Sequence, residues 1–497
     1  MSTLVSRSAR CHALALGVVG LVVGCEVGPN YQPPAEHMPA TWVAPPTTRA
    51  SITVQEPLQV EKWWTTFNDP VLDSLVRRAV QSNLNVQIAA ERVRAARATV
   101  CIAGSGLFPL FQGTGSYTRS LNAANRTTAT TPGGGTRTIG AKDQDFWRGG
   151  FDATWEIDIF GGIRRGVESA SATYEATIED RRDVLVSLLG ELATNYVQLR
   201  GFQQQVIIGQ ENLAAQERTL QATRENKAIG RGTGLDVANS EAQVASTSAS
   251  IAGFQNLVQQ QIYVISVLLG DEPASLLQEL STESQIPIAP PLVPVGLPSE
   301  LLRRRPDIRR AERQLAAATA DIGVATADLF PHLGLNGSVS VGGSRFENLG
   351  NWGTRVLSIG PSFNWAIFDS GRIWSNIEVR NAIQAQALLI YRQTILTALQ
   401  DVESALTAYA QEQQRRALLA DAVAANQRAV AFAQELYATG KENFLNVLVA
   451  QQSLFGSQNA LVQSNQAVAS DLVAIYKALG GGWEVGEPVS TTRPVKQ

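Results

Sequence analysis

The sequence predicts a mixed α/β membrane protein with four membrane-spanning β-strands per chain, very long helices and an internal two-fold repeat. Landmark residues recur at a fixed spacing, four segments alternate between apolar and polar residues, and two long stretches contain no proline. An open sheet edge cannot lie in lipid, so further copies of the chain must complete an oligomeric β-barrel. Two, three or four protomers all satisfy this requirement, and the residues alone do not choose among them.

The composition excludes several classes of function. The chain has 497 residues, of which 44% are apolar and 17% charged, and its formal net charge is −3. A nucleic-acid-binding protein would carry a basic patch or stripe, and this balance gives none. Three histidines and three cysteines, with no CxxC or HExxH spacing, provide little for a metal site. We therefore expect no metal, no cofactor and no nucleic-acid partner.

Residues 1–24 have the pattern of a signal peptide. A positively charged start precedes an apolar run from Ala13 to Gly24, which is too short to cross a bilayer as a helix. The residues before Cys25 resemble a bacterial lipobox, so Cys25 is expected to carry lipid and to begin the mature chain. The alternative is an ordinary secretory signal with an incidental cysteine. Residues 25–60 are rich in proline and are expected to form an extended tether lying on another surface.

Equivalent landmarks recur 210 residues apart, which indicates an internal repeat. The pairs at this spacing are Trp155 and Trp365, Gly230 and Gly440, and Leu269-Gly270 and Leu479-Gly480. Phe108-Pro109 and Phe330-Pro331 are 222 residues apart, because a Thr- and Gly-rich insert at 126–138 lengthens the first repeat. The insert is expected to be a loop. The first repeat is assigned to residues 61–290, the second to 291–482, and a C-terminal tail to 483–497.

Each repeat should contain two strands, near 108–120 and 147–160 in the first and near 332–342 and 354–368 in the second. Phe151, Ala153, Trp155 and Ile157 alternate with polar residues, which is the period of a strand with one apolar and one polar face. A hairpin packed on a soluble core would give the same pattern. A transmembrane strand, with its apolar face in lipid, is the functional interpretation.

A very long helix should follow each pair of strands, over 163–229 and 372–439. Apolar residues recur at every seventh position, from Leu185 to Leu220 and from Leu388 to Tyr409, which predicts coiled-coil-like packing. Glycine-containing tips at 230–236 and 440–446 lead into return helices over 235–270 and 446–480. The return helices have half the length of the long ones. Helices over 71–98 and 306–329 are expected to stack end to end with them.

The chain resembles the TolC family, and within it the OprM/NodT-like outer-membrane factor lipoproteins of RND-type multidrug efflux systems. The stretch from Gly296 to Arg309 is the most specific match, and Cys25 to Pro34 and Asp158 to Gly161 add to it. The resemblance implies a homotrimer with a twelve-stranded barrel in the outer membrane and a long periplasmic α-helical barrel. It also implies a periplasmic adaptor (membrane fusion protein) and an inner-membrane RND pump as partners. The arginines of the Gly296–Arg309 stretch should fix contacts between helices.

The same resemblance implies that the two tips carry the function. Residues expected to contact the adaptor are Gly230, Gly232, Thr233, Leu235, Gly440 and Phe444. Residues expected to form the periplasmic gate are Asp236, Tyr437, Lys441, Leu445, Asn446 and Val449. Relatives often have an acidic residue where Asn446 or Val449 stands here, so an apolar constriction by Leu445 and Val449 is expected instead. Packing of both inside the hairpin is the alternative. Asp236 is expected to contact Tyr437 or Lys441 in the closed state.

The sequence leaves three other functions to consider. A channel for type I protein secretion or metal-ion efflux is the main rival within the family. A coiled-coil structural lipoprotein explains the heptads but leaves the paired alternating segments without a role. An enzyme is not expected, because the glycines from Gly230 to Gly234 follow a helix rather than the strand that a nucleotide-binding loop requires. No catalytic residue is assigned.

Overall fold

The computed structural model describes residues 26–36, 38–43, 51–52, 60–120, 127–130, 136–139, 144–287, 293–294 and 298–486. Cys25, the signal segment and the end of the tail lie outside these residues. The chain divides into two compact units. The first contains residues 1–33, 95–174 and 313–388, and the second contains residues 34–94, 175–312 and 389–497.

The strands of the first unit are β1 (Leu110–Ser120), β2 (Thr127–Thr130), β3 (Thr136–Ile139), β4 (Gln144–Ile157), β5 (His332–Gly343) and β6 (Arg355–Asn364). Four of them form one antiparallel sheet in the order β1-β4-β5-β6. In this sheet β1 and β6 are the edge strands. Each has one side without a partner among the described strands.

The strand register sorts the side chains of this sheet by polarity. Phe151 on β4 lies opposite Gly113 on β1 and Val339 on β5, and Val339 lies opposite Leu357 on β6. The same face carries the large apolar and aromatic residues Phe111, Tyr117, Trp147, Trp155, Leu333, Leu335, Ile359 and Phe363. The other face is mostly polar, with members such as Gln112, Thr114, Asp152, Glu156, Asn336, Ser338, Ser358 and Ser362. One face is therefore apolar across all four strands.

The insert at 126–138 is not simply the loop that its composition predicts. β2 and β3 form a short antiparallel hairpin, from Thr127 opposite Ile139 to Thr130 opposite Thr136. Threonine is β-branched and favours extended backbone, so local propensity outweighs the loop-like composition on both sides of the glycines.

The helices of at least ten residues are α1 (Pro70–Ser82), α2 (Leu84–Ser105), α3 (Gly162–Ala228), α4 (Gly234–Leu268), α5 (Pro306–Ala327), α6 (Arg372–Ala438) and α7 (Phe444–Ala478). Both α3 and α6 have 67 residues, roughly 100 Å each, and both α4 and α7 have 35. Short helices span Leu277–Leu280 and Leu301–Arg304, and Ser51–Ile52 pairs with Val293–Pro294. In the described part of the chain, no helix is long and apolar enough to span a bilayer.

The seven-residue spacing marks the buried side of both long helices in the second unit. Leu185, Leu192 and Leu199 on α3 are fully buried, and Val402 and Tyr409 are buried in the same way on α6. Burying such side chains stabilises a protein by about 1.5–3 kcal/mol each relative to exposure. Tertiary packing of this stripe, more than local propensity, therefore holds the helices in place.

The first return helix meets a short helix end to end, as the sequence predicts. The expected helix over 71–98 is divided at Asn83 into α1 and α2. The Asn83 Oδ1 atom accepts hydrogen bonds from the backbone N–H groups of Asn85 (2.9 Å) and Val86 (3.1 Å), which caps α2. Its Nδ2 atom donates to the carbonyl of Leu268, the last residue of α4 (2.8 Å). The buried side chain of Asn83 therefore satisfies backbone groups at the ends of two helices, α2 and α4.

Arg305 likewise satisfies a helix end at the joint between α7 and α5. Its side chain is buried, and its Nη1 atom donates to the carbonyl of Ala478, the last residue of α7 (3.0 Å). The guanidinium also pairs with Asp307 (2.7 Å) and with Asp401 on α6 (3.1 Å). The side chain of one arginine thus joins three helices.

Arg309, the last residue of this stretch, and Arg310, which follows it, both pair with carboxylates on α3. Arg309 pairs with Glu179 (2.7 Å), and Arg310 pairs with Asp180 (2.7 Å) and Asp183 (2.9 Å). These contacts confirm that the arginine-rich stretch connects helices, as the sequence predicts.

A cavity of about 520 Å³ beside Arg305 contains a carboxyl group with an altered pKa. Asp471 on α7 lines this cavity together with Asp183, Asp401 and Lys477. Burial raises the pKa of Asp471 to about 6, and the negative charge of Glu412 adds to the effect. The ionised form of Asp471 therefore destabilises the folded protein at neutral pH.

We predict that Asp471→Asn reduces the pH dependence of stability. The pKa of Asp471 is higher in the folded than in the unfolded chain. Protonated Asp471 therefore contributes to the free energy of unfolding fully below about pH 4, and this contribution is lost as pH rises through about 6. The substitution should stabilise the protein at pH 7.5 by about 1 kcal/mol, after allowing for solvent screening. Thermal unfolding at pH 5 and pH 7.5 measures this difference.

Asp421→Asn, at an exposed position of α6, is the matched control and should leave the pH dependence unchanged. An unaltered pH dependence in Asp471→Asn itself would contradict the prediction.

Candidate functional site

The first tip, residues 226–236, reverses the chain through a glycine in left-handed backbone. Gly230 has a φ of +74°. The Arg231 N–H donates to the carbonyl of Asn226 (2.8 Å), and the Gly230 N–H donates to that of Lys227 (3.0 Å). This is a Schellman motif, in which glycine avoids the penalty that a Cβ atom would bring. Gly232 follows, close to the backbone of α3 at Lys227.

The second tip, residues 436–446, repeats this turn. Gly440 has a φ of +71°. The Lys441 N–H donates to the carbonyl of Leu436 (2.9 Å), and the Gly440 N–H donates to that of Tyr437 (3.0 Å). Gly230 and Gly440, two of the tip glycines that the sequence marks, therefore each end a long helix. Their first role is the reversal of the chain.

The return helices begin with different caps. Thr233 and Asp236 form a capping box at the start of α4: the Asp236 N–H donates to Thr233 Oγ1 (3.1 Å), and the Thr233 N–H donates to Asp236 Oδ2 (2.9 Å). At the start of α7, Asn443 Oδ1 accepts from the Asn446 N–H (3.3 Å), and the Asn446 side chain donates to Glu442 (2.6 Å). Only the first tip uses a carboxylate in this position.

Tyr437 connects the two tips. Its hydroxyl accepts a hydrogen bond from Asn226 Nδ2 (3.2 Å), and its ring packs on Phe444 with 5.6 Å between centroids. The Phe444 side chain is only 3% exposed, so it belongs to the interior of the hairpin rather than to an outer contact surface. Sequence reasoning did not select Asn226, because a single asparagine within a long helix carries no distinguishing pattern.

The contact expected between Asp236 and Tyr437 or Lys441 is not made within the described part of this chain. The Asp236 carboxylate is held by Thr233, through its N–H and its hydroxyl (2.7 Å), and Tyr437 is held by Asn226. The physical reason is local, because a carboxylate at the third helical position satisfies the free N–H of its own helix cap.

Three apolar side chains near the tips face solvent in the single chain. Leu235 is exposed, Leu445 is 54% exposed and Val449 is 51% exposed. Leu445 and Val449 are one helical turn apart on α7, so they lie on the same side of that helix. The alternative in which both pack inside the hairpin is therefore not what this chain adopts.

A sequence profile described as "Outer membrane efflux protein" matches residues 75–271 and 297–481. The chain belongs to this family. Its two matched segments contain both tips and all the long helices. The expected resemblance to TolC-like outer-membrane channels is thereby confirmed.

Individual relatives resemble this member of the outer membrane efflux protein family over most of their length. Nodulation protein T of Rhizobium leguminosarum bv. trifolii is 32% identical, over 93% of this chain and 96% of its own length. Pyoverdine export outer membrane protein OpmQ of Pseudomonas aeruginosa is 34% identical, over 86% of this chain and 88% of its own. The probable efflux pump outer membrane protein TtgC of Pseudomonas putida is 30% identical, over 95% of each.

Solved structures show the same fold. The outer-membrane channel OprN superposes with a TM-score of 0.83 at 35% identity, covering 93% of this chain and all of that one. The open state of the Neisseria gonorrhoeae MtrE outer membrane channel superposes with a TM-score of 0.74 at 26% identity, covering 92% of this chain and 99% of that one.

We predict that Thr233→Ala and Asp236→Ala each loosen the start of α4 by about 1 kcal/mol, and that the double substitution costs less than the sum of the two. The reason is that the two side chains cap the helix reciprocally. Hydrogen exchange of the backbone amides of residues 234–240 measures the effect. Asn443→Ala, at the other cap, should leave these amides unchanged. Fully additive effects of the two single substitutions would contradict the capping box.

Proposed function

We propose that this family member is the outer-membrane duct of a tripartite efflux pump that exports small molecules. In this proposal three copies close a twelve-stranded barrel in the outer membrane, and their helices continue it as a periplasmic α-helical barrel. The tips meet a periplasmic adaptor coupled to an inner-membrane RND pump. Lipid on Cys25 adds an anchor. Relatives named as an efflux pump component and a pyoverdine exporter support this class of cargo.

The observation that carries the proposal is the polarity of the four-stranded sheet. Its apolar face is exposed to solvent in the single chain, with Phe111, Phe151, Leu357, Ile359 and Phe363 all more than two-thirds exposed. An apolar patch of this kind needs a covering. Lipid is a suitable one, because transmembrane barrel strands place apolar residues outward and polar residues toward the lumen.

The two open edges of the sheet support an oligomer. β1 and β6 each have one side with no partner strand in the described part of the chain. In lipid each unsatisfied backbone group costs several kcal/mol, so β1 of one copy must pair with β6 of the next. Three copies, as the family resemblance implies, give twelve strands.

The helices offer a second contact between copies, which an internal two-fold repeat predicts. Within the chain, α3 meets α7 through Asn212 and Gln458 (2.7 Å) and through Thr219 and Gln451 (3.0 Å). The positions 210 residues away are Ala422 and Ala429 on α6, and Ser248 and Glu241 on α4. Of these four, Ala429, Ser248 and Glu241 are exposed and Ala422 is half-buried.

The surface of α6 around these positions is a mostly exposed apolar seam with heptad spacing. Its members are Leu418, Ala422, Ala425, Ala429, Phe432 and Leu436, spaced alternately by four and three residues. Leu418 and Phe432 are well exposed. Seams of this spacing normally receive a second helix. We assign that helix to α4 of the next copy, in the manner in which α3 receives α7 within the chain.

We predict that Ala422→Cys and Ser248→Cys, combined in a Cys101→Ser background, cross-link between copies with a short bis-maleimide. Denaturing gels should show bands of up to three chains and none larger. Asn212→Cys with Gln458→Cys is the control, because the same reagent should join these positions within one chain. Cross-linking of the control but not of the test pair, in protein that still forms oligomers, would contradict the helix pairing and leave the channel proposal standing.

At the periplasmic end we propose an apolar constriction of Leu445 and Val449 from each copy. Both are exposed in the single chain, and Asn446 between them is neutral. An apolar ring gates a pore by excluding water and does not select by charge. The tips contribute Gly230, Gly232, Thr233, Leu235 and Gly440 to the proposed adaptor surface.

Planar bilayers test both parts of this proposal. The purified protein is expected to conduct ions, and Val449→Asp should shift the reversal potential in a salt gradient toward cation selectivity, because it adds one carboxylate per copy at the narrowest point. Val449→Asn, which adds no charge, is the control. Oligomers that never conduct would contradict the channel. A conducting Val449→Asp variant with an unchanged reversal potential would contradict only the constriction.

A further inference from the structure

Residues 26–31, here called the strap, lie in extended form on the first unit. The Val27 N–H donates to the carbonyl of Phe160 (3.2 Å), directly after β4. Glu26 lies beside Arg164 (3.8 Å), and the Arg313 guanidinium lies 5.6 Å from the centre of the Tyr31 ring. These contacts show that residues 26, 27 and 31, at the start of the proline-rich segment, lie on the first unit.

Arg165, near the start of α3, is the centre of the strap's seat. It is only 2% exposed, although it carries a charge. Its Nε atom donates to the carbonyl of Val27 (3.2 Å) and its Nη2 atom to Oδ1 of Asn30 (2.5 Å). Its Nη1 atom pairs with Glu168 (2.6 Å). A buried charge needs such partners, so removal of the strap would leave the guanidinium poorly satisfied.

Two glycines let the strap come this close. Gly28 has a φ of +88°, and a Cβ atom on it would lie 2.5 Å from the Cα atom of Gly323 on α5. A Cβ atom on Gly323 would lie 2.8 Å from the side chain of Arg165. Real Cβ atoms essentially never lie this close to other atoms, so a side chain at residue 28 would clash with backbone and one at residue 323 would displace Arg165. The seat therefore depends on contributions from α3 and α5, which are far apart in the sequence.

The strap lies at the end of the sheet where each of the four strands connects to a helix. Phe160, whose carbonyl holds Val27, stacks on Phe330 with 4.6 Å between ring centroids. The exposed apolar residues Phe108, Ile367 and Phe368 belong to the chain segments that enter or leave the strands at this same edge. An apolar belt at the end of membrane strands is suited to the lipid–water boundary.

We propose that the strap fixes the point at which the lipid anchor enters the membrane. Only Glu26 separates Cys25 from the hydrogen bond of Val27, and one residue of chain spans at most about 3.6 Å. Lipid carried on residue 25 is thereby held at the helical edge of the sheet. This inference rests on the acylation of Cys25 in the proposed function, and it assigns Arg165, Gly28 and Gly323 as the positioning residues.

The length of the tether shows what the strap changes. A flexible segment of about 35 residues has a root-mean-square span of roughly 30 Å. If a segment of that length joined the lipid anchor to the folded protein, the acyl chains could enter lipid at any height within about 30 Å of the attachment point. Docking of the strap on the first unit shortens this connecting segment to a single residue, Glu26. The anchor then fixes the height of the sheet relative to the inner leaflet of the outer membrane.

Protection of the strap against a glutamate-specific protease tests the proposal in lipid nanodiscs. Cleavage after Glu26 removes the acylated residue, and mass spectrometry of the N-terminal peptide follows the loss. Gly28→Ala and Gly323→Ala should be cleaved at least about tenfold faster than wild type, because proteolysis requires local opening. Gly166→Ala is the matched control, since a Cβ atom there meets nothing within 4 Å. It should be cleaved at the wild-type rate.

A spin label on Gln32→Cys, in a Cys101→Ser background, reports on the strap without proteolysis. Its spectrum should be that of an immobilised label in wild type and in Gly166→Ala, and that of a mobile label in the two seat variants, while conductance stays unchanged. Equal cleavage rates and equal label mobility in seat and control variants would overturn the proposal. An N-terminal peptide without an acyl group in wild type would overturn it through its premise, whereas a protein that never conducts would count against the channel alone.

Discussion

The fold depends on satisfying helix ends where short helices meet end to end beside a continuous one. A helix terminus leaves several carbonyl or N–H groups without intrahelical partners, and burying them unpaired is costly. Asn83 and Arg305 meet this demand at the two joints, each with a hydrogen bond to the last residue of a return helix. With these joints in place, α4 and α7 can be half as long as their partners.

Much of this architecture is encoded in patterns that sequence reasoning can detect. The period of seven predicts which residues of α3 and α6 are buried, since Leu185, Leu192 and Val402 all lie in the core. The period of two predicts the apolar face of the sheet. Both patterns work because a single geometric repeat, maintained over many residues, averages out local exceptions.

What escaped prediction depends on single side chains. The break at Asn83, the hairpin in the insert and the bond between Asn226 and Tyr437 each arise from one or a few residues whose partners are distant in sequence. Asp236 is instructive, because its carboxylate bonds locally to Thr233 in the described part of this chain, whereas its contact with Tyr437 or Lys441 in the closed state stays a prediction. Short-range capping prevails where a carboxylate already has a free N–H within reach. The seat of the strap was equally invisible, because Gly28 and Gly323 meet only in the folded chain.

The heptad stripe of α3 also limits how the length of such a protein can vary. A straight α-helix drifts by about 20° per heptad, so five heptads from Leu185 to Leu220 would rotate the stripe by about 100°. These residues nevertheless stay on the buried side, apart from the half-buried Leu213, which requires a gentle left-handed coiling of the helix. Insertions or deletions in the paired helices are then tolerated best in steps of seven residues. Seven residues correspond to roughly 10 Å of helix, so the long helices of related proteins should differ in length by discrete increments of this size rather than continuously.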